Sequence, residues 1–434
     1  MRYEFFIGLR YLRSKRRQKF ISIIGVISIL GVFMGVMALD VVLSVMGGFE
    51  EELQTKILGV NSHLVVLSYD GGIKGYEALT RKVRDFPGVV GASPFIYGQA
   101  MLVGETNVLG VVTRGIDPAR AGSVTSIETA LGKGSISGKG EKHGDKSLLK
   151  RVGRETLMKL AESTPTGHPP IIIGKELASS LGVTVGDTVN LVSPFGRVGP
   201  FGPQAKIRKF EVVGLFDYGM FEYDSSLAYL SLKDAMAFYG MEGKVTGVEL
   251  KVKDIYKARA IGDAILGELG FPFYTRNWEE VNASLFRALR LERIAIGIFL
   301  GLIILVAALD IVSTLTMVVM EKGRDISILR AMGATRGGIM RIFILDGMII
   351  GSVGTVLGTV AGFGLLYLIK SNESLKALIP FDPKVYPISE FPVKLEPLYF
   401  IVVALVSLAV CFLATLYPSY QASQKDPVEA LRYE

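Results

Sequence analysis

The chain has 434 residues, half of them apolar before any of its 50 glycines is counted, and 21% charged. That share, with charges clustered rather than interleaved, excludes a disordered chain and argues against a soluble enzyme. It points instead to a membrane protein with a sizeable polar part. Lys and Arg outnumber Asp and Glu by 48 to 41, a formal net charge of +7 whose placement decides its meaning.

In chain order, residues 4–19 mix aromatic and aliphatic side chains with arginines. Phe5, Leu9 and Leu12 recur at helical spacing, which suits either an interfacial helix or a simple positive anchor. From Phe20 to Leu39 no residue is charged, and after Asp40 the apolar run resumes to Phe49. That run exceeds the roughly 7–15 residues of a signal-peptide core, and no A-x-A-like site follows, so it reads as a first span. The polar stretch at 48–288 reads as α/β. Strand-like runs fall at 62–68, 97–103, 107–113, 171–173, 188–193, 207–216 and 227–232, and helical patterns at about 76–86 and 254–269. Residues 119–168, rich in Gly, Ser and Lys, read as a flexible insertion rather than core.

Three more stretches follow: Ile294–Met320 broken by Asp310, Gly347–Ile369 with Asp346 at its start, and Pro397–Gln424 without a charge over 28 positions. Each is long enough for the roughly 20 apolar residues a bilayer span needs. In the third, Gly347, Gly351, Gly354, Gly358 and Gly362 share one helical face and predict close approach of another helix. Gly31 with Gly35 and Gly297 with Gly301 form further small-residue pairs. Asp40 and Asp346 lie near span ends, whereas Asp310 lies near mid-span, where a carboxylate is costly.

Residues 1–19 hold seven basic residues against Glu4, and the segment Glu321–Arg341 holds five against Glu321 and Asp325. The loop at 371–396 has three basic and four acidic residues. The positive-inside rule therefore puts both termini and 321–341 in the cytoplasm, with 48–288 and 371–396 outside. The basic excess is a topology signal, and nucleic-acid binding is set aside.

Catalytic chemistry is missing. His63, His143 and His168 have no metal-ligand spacing, and His143 and His168 read as solvated. No G-x-S-x-G occurs, and Gly174-Lys175 is followed by Glu176, so there is no P-loop. Cys411 is the single cysteine and permits no intrachain disulfide. Glu321–Thr335 reads as a charged helix with Ile328, Leu329 and Met332 on one side and Gly333 as its stop. At the C-terminus, Asp426, Pro427 and Glu429 form a capping-box variant for a short helix.

Three stretches carry a family resemblance: FIGLRYLRSKRRQKF through GGFEEEL at 6–53, ALDIVSTLTMVVMEKGRDISILRAMGAT through TVLG at 308–358, and YPSYQASQKDPVEALRYE at 417–434. With NWEEVNASLFRALRLE at 277–292 and FDYGMFEYDSSLAYLSLKDA at 216–235, they resemble the lipoprotein-releasing permeases of Gram-negative bacteria, the LolC/LolE family of the FtsX/MacB superfamily. Gly47 and Asp310 depart from the family's usual wording, which has Asn at each.

The resemblance implies an α-helical membrane protein with four transmembrane helices plus a large α/β extracytoplasmic (periplasmic) domain, the type VII ABC (mechanotransmission) permease architecture. Its expected parts are a cytoplasmic amphipathic segment at 1–19, spans at 20–47, 289–320, 342–370 and 397–420, and the domain at 48–288. The remaining parts are a coupling helix at 321–341, a periplasmic loop at 371–396 and a C-terminal helix at 421–434. It also implies an inner-membrane permease subunit, not itself an enzyme, that passes lipoproteins from the outer leaflet to a periplasmic carrier. Two copies of a separate ATPase would bind ATP and Mg, this chain holding no cofactor, and a second permease, paralogue or self, would complete a dimer among membrane lipids.

Glu321, Lys322, Arg324, Asp325, Ile328, Leu329, Met332 and Gly333 are the expected ATPase-coupling residues. The loop 193–204 is the expected carrier-binding hook, with Pro194, Phe195, Pro200, Phe201 and Pro203. Val42, Val45 and Met46 are expected to line a lipid cavity entered laterally between spans one and two of the dimer. The alternatives are an efflux permease of the same superfamily and an FtsX-like regulator of cell-wall hydrolases.

Overall fold

A computed structural model describes residues 19–136, 146–193, 198–199, 202–203, 205–372, 375 and 392–425. The chain divides into a helical unit (Met1–Glu50, Arg287–Pro380 and Phe391–Glu434) and an α/β unit (Glu51–Phe286 and Phe381–Glu390). The N-terminal segment before residue 19, with Phe5, Leu9 and Leu12, and the capping residues Asp426, Pro427 and Glu429 lie outside the described residues.

Helix α1 runs Lys19–Val60 without a break, past the expected end of the span at residue 47. Beyond the glycine pair Gly47-Gly48 the sequence FEEELQTKILGV remains helix-forming, and Leu53, Ile57 and Val60, at i, i+4 and i+7, are all buried. Burial of that stripe outweighs the few tenths to one kcal/mol that each glycine costs a helix.

The α/β unit is built on strands β1 (Leu64–Ser68), β2 (Val89–Val103), β3 (Val108–Ile116), β4 (Pro170–Gly174), β5 (Thr188–Ser193), β6 (Lys206–Phe216), β7 (Leu227–Ser231), β8 (Gly247–Val252) and β9 (Phe273–Asn277). They form one nine-stranded sheet in the order β9-β1-β8-β2-β3-β7-β4-β6-β5. Strand β5 also pairs with the far end of β2 (Met101↔Val192), so six strands close on themselves. The β3–β7 and β4–β6 pairs are parallel and the others antiparallel. One face carries Ile96, Leu102, Ile171, Leu191, Phe210 and Leu230 into the larger core, to which helices α2 (Tyr76–Arg84), α5 (Lys175–Leu181), α6 (Leu232–Tyr239) and α7 (Ala258–Leu269) contribute.

On the other face Ile172, Phe216, Leu227 and Tyr229 are covered by Ile127, Ala130 and Leu131 of α3 (Ile127–Ile136), by Leu157 of α4 (Lys146–Met158) and by Leu160. The expectation that 119–168 is a flexible insertion is corrected here: among its described residues it supplies half of a core. The glycines that suggested flexibility are points of close approach. A Cβ on Gly132 would lie 2.1 Å from the Leu149 carbonyl oxygen, and one on Gly153 1.6 Å from that of Glu128. Only a residue without a side chain lets α3 and α4 pack backbone to backbone.

The helical unit adds α8 (Ala283–Glu321, its first residues in the α/β unit), α9 (Gly323–Ala331), α10 (Arg336–Ser371) and α11 (Pro397–Gln424) to α1. α1, α8, α10 and α11 are each long and apolar enough to cross a membrane. Their packing uses the predicted glycine face. A Cβ on Gly354 or Gly358 would come within 3.0 Å of α1 (Val32, Val36, Phe33 O), and one on Gly347 or Gly351 within 2.7 Å of α11 (Thr415, Cys411). Among the described residues, hydroxyl contacts cross between helices at Ser28 with Thr314, 2.6 Å, and at Thr355 with Ser407, 2.9 Å.

Candidate functional site: a coupling segment and an apolar cavity

At one end of the helical unit, α9 is a nine-residue helix between α8 and α10. It starts at Lys322, whose buried ammonium lies 3.6 Å from Asp325, and stops at Met332 because Gly333 turns to φ 101°. That is the left-handed conformation glycine tolerates at a helix end, so the expected stop is where it was placed. Thr335 then caps α10, its hydroxyl accepting from the Gly338 amide at 3.1 Å. The inner side of α9 packs Ile326 against Val319, Ile339, Phe343 and Ala422, with Leu329 partly buried beside them. The Arg330 guanidinium donates to the Lys425 carbonyl and ties α9 to the end of α11.

This divides the expected coupling residues. Ile328 is 45% exposed and Met332 80%, one helical turn apart on the outer side, with exposed Glu321 and Arg324 beside them. Leu329 and Lys322 are turned toward the protein's own interior, correcting the expectation that Ile328, Leu329 and Met332 form one face. Residues at i and i+1 are about 100° apart around a helix, so Leu329 cannot share the Ile328–Met332 row.

Between α1, α8 and α11 lies a cavity of about 310 Å³. Its walls include Val36, Leu39, Leu43, Ile304, Val406 and Val410, and its one hydroxyl, on Ser407, is engaged with Thr355. Gly35, Gly297 and Gly301 also line it. No heavy atom beyond their own helix lies within 4 Å of a Cβ built on Gly297 or Gly301, so this pair opens space instead of closing a helix contact. Val42, Val45 and Met46 are half-buried and do not line this cavity. The wall of α1 is the row Val32, Val36, Leu39, Leu43; Val42 and Val45 lie off it, and Met46 is a turn beyond its end.

All three intramembrane acids face protein. Asp40 and Asp346 are buried, and Asp310 Oδ2 lies 3.4 Å from a Cβ built on Gly31. Among the described residues, both oxygens of Asp40, Oδ1 of Asp346 and Oδ2 of Asp310 lack a hydrogen-bond partner. Their burial was not legible from position along the span, which says nothing of rotation about the helix axis.

In the α/β unit, Val198–Gly199 and Gly202–Pro203 form a two-stranded hairpin on the β5–β6 pair, whose last register is Ser193↔Lys206. Lys206 Nζ, on its outgoing side, donates to the Ala237 carbonyl at 2.6 Å. Of the expected hook residues, Pro203 lies in the hairpin's second strand; Pro194, Phe195, Pro200 and Phe201 lie outside the described residues. Not foreseen from the sequence are β8 and β9, short strands whose signal is pairing with distant strands, and α5 and α6, helices of seven and eight residues, too short for a long periodic run.

Comparison with known proteins defines the class first. The MacB-like periplasmic core domain matches residues 26–266 and the FtsX-like permease C-terminal domain residues 297–427, so this is a multi-pass membrane permease with an α/β periplasmic domain. The lipoprotein-releasing system transmembrane protein LolC of Xylella fastidiosa (strain Temecula1) is 35% identical over 99% of this chain and 98% of its own. LolC of Neisseria meningitidis serogroup B is 36% identical over 99% of both chains, and LolE of Haemophilus influenzae 30% over 99% of both. The chain belongs to the LolC/LolE family of lipoprotein-releasing system transmembrane proteins. The chain is also similar to the solved periplasmic region of MacB from Actinobacillus actinomycetemcomitans, over 53% of this chain and 94% of that one, at 10% identity and a TM-score of 0.30.

Proposed function

We propose that this chain is the permease subunit of an inner-membrane ABC transporter that releases lipoproteins from the outer leaflet to a periplasmic carrier. The observation that carries the reading is likeness to LolC proteins along the whole chain, both the spans and the α/β unit. Both termini and α9 face the cytoplasm, in keeping with the basic residues flanking the spans. A separate ATPase, in two copies, docks on α9 through Ile328 and Met332 with Glu321 and Arg324 at the rim. Two permease subunits form the dimer, and the 193–204 segment recruits the carrier. An acyl chain of the lipoprotein occupies the cavity between α1, α8 and α11, whose walls require only apolar contact. The chain makes and breaks no bond: nucleotide-driven movement of α9 rocks the spans and expels the lipid.

The test is reconstitution of the full chain with its ATPase in liposomes loaded with a triacylated lipoprotein, followed by release to the carrier on adding ATP. Gly301→Leu places a side chain in open space inside the cavity. Lipoprotein-stimulated ATP hydrolysis and release are expected to fall at least about fivefold while basal hydrolysis stays near wild type. Absence of ATP-dependent release by the wild-type complex overturns the function; unchanged release by Gly301→Leu overturns the cavity's part in it.

A further inference from the structure

The last turn of α1 ends in buried carbonyl groups, and a helix's final carbonyls have no partner within the helix. The Val60 carbonyl is met by Arg114 Nη1 at 3.1 Å. The other end of the same guanidinium is paired with Glu249, and both side chains are only 7% exposed. The guanidinium carbon lies 6.0 Å from the centre of the Tyr229 ring, whose hydroxyl is bonded to that of Tyr218 at 3.0 Å. The arginine thus links four parts of the α/β unit: β3 which carries it, β8 through Glu249, β7 through Tyr229, and the end of α1. Around it the Gly59 carbonyl accepts from the Ser126 amide at 2.8 Å, and Asn61 Nδ2 donates to the Tyr223 hydroxyl at 2.8 Å. Two residues on, the His63 carbonyl accepts from the Trp278 amide at 3.1 Å, joining the start of β1 to the segment leading into α8.

A buried ion pair is weak evidence for stability, because apolar residues of similar volume often serve as well. What apolar packing does not supply is direction: a guanidinium held by a carboxylate fixes where the carbonyl of Val60 must lie. Between α1 and β1 stand only residues 61–63, a joint that could otherwise pivot. We infer that Arg114 and Glu249 are a positioning pair that fastens the end of α1 to the sheet, so that displacement of the helix moves the α/β unit instead of being absorbed at residues 61–63. This rests on the reading of the chain as an ATP-driven permease. It assigns to the pair the transfer of motion out of the membrane, a role distinct from contact with lipid, carrier or ATPase.

The test uses the full chain in its reconstituted complex with the ATPase. The double variant R114M/E249M removes both charges together and leaves no orphaned ion. It is expected to assemble and to hydrolyse ATP at the wild-type basal rate, while lipoprotein released per ATP consumed falls about tenfold. Amide exchange of Gly59 and Asn61 is expected to quicken in the same variant. E249Q, which keeps an acceptor beside Arg114, is the milder second variant, expected to lose part of the release per ATP without loss of assembly. Wild-type release per ATP in R114M/E249M overturns the inference. So does a double variant that fails to assemble together with an E249Q that behaves as wild type, since the pair would then be structural only. If the wild-type complex releases no lipoprotein, the functional reading fails on its own, and unchanged exchange at Gly59 and Asn61 in R114M/E249M still overturns the fastening.

Discussion

Leu329 and Met332 differ by less than one helical turn, yet they belong to different surfaces. Met332 is 80% exposed at the end of α9, so Met332→Asp is expected to change the thermal stability of the chain by no more than about 0.5 kcal/mol. If α9 is the ATPase dock, the same variant lowers ATPase co-purification several-fold. Leu329→Asp carries a charge toward Ile326 and Ile339 and is expected to cost about 2 kcal/mol of the chain's own stability. Thermal melts of the isolated chain, read beside pull-down, separate the two; equal melts for both variants would place Leu329 on the outer side after all.

His63 makes a second residue-scale case. It is buried beside Val252, its ring Nδ1 3.0 Å from that carbonyl, and burial holds its pKa below the ordinary imidazole value. A proton therefore binds the unfolded chain more readily than the folded one. The stabilising contribution is present above about pH 6.5, the unfolded value, and is lost as pH falls through and below it. Melting temperature is expected to drop between about pH 7.5 and about pH 5.5, and His63→Gln to flatten that part of the profile. An unaltered profile in the variant would remove His63 as its source.

At the scale of elements, the glycine face of α10 is the feature sequence spacing predicted best, and the structure adds its partners. Gly358 would place a Cβ 2.8 Å from the Phe33 carbonyl oxygen of α1, a backbone atom that cannot swing aside. Val356, two residues away, is 61% exposed and faces away from the bundle. Gly358→Leu is expected to cost at least about 2 kcal/mol, and Val356→Leu less than about 0.5 kcal/mol, by thermal denaturation in detergent. Equal tolerance would leave the glycine face without a packing role. The same residue type plays the opposite part at Gly297 and Gly301, which line a cavity; spacing alone does not distinguish a glycine that admits a helix from one that leaves a gap.

For the molecule as a whole, the test of the corrected reading is deletion of 119–168. A flexible insertion is removable at little cost. The structure instead has this segment covering Ile172, Phe216 and Tyr229 on the outer face of the sheet, so its loss is expected to abolish cooperative unfolding of the α/β unit. Trp278, the chain's only tryptophan, is buried in that unit and reports the outcome by its fluorescence. Wild-type emission and a sharp transition in the deletion variant would restore the insertion reading.

The presence of four helices long and apolar enough to cross a membrane, the α/β class of the intervening polar stretch, the stop at Gly333 and the family were all determined by the sequence by itself. Each depends on short-range quantities: the transfer of about 20 successive apolar residues, alternation along a strand, one glycine's access to positive φ, or motifs read in line. Only the tertiary structure decided that the described part of 119–168 is core, that Leu329 turns inward, that Leu39 and Leu43 line a cavity between α1, α8 and α11, and that Arg114 holds the end of α1. Those outcomes depend on the rotation of each helix about its axis and on which distant segment comes to lie against it. Composition carries neither, because a glycine-rich stretch that packs backbone to backbone and one that stays loose have the same residues and differ only in what they meet.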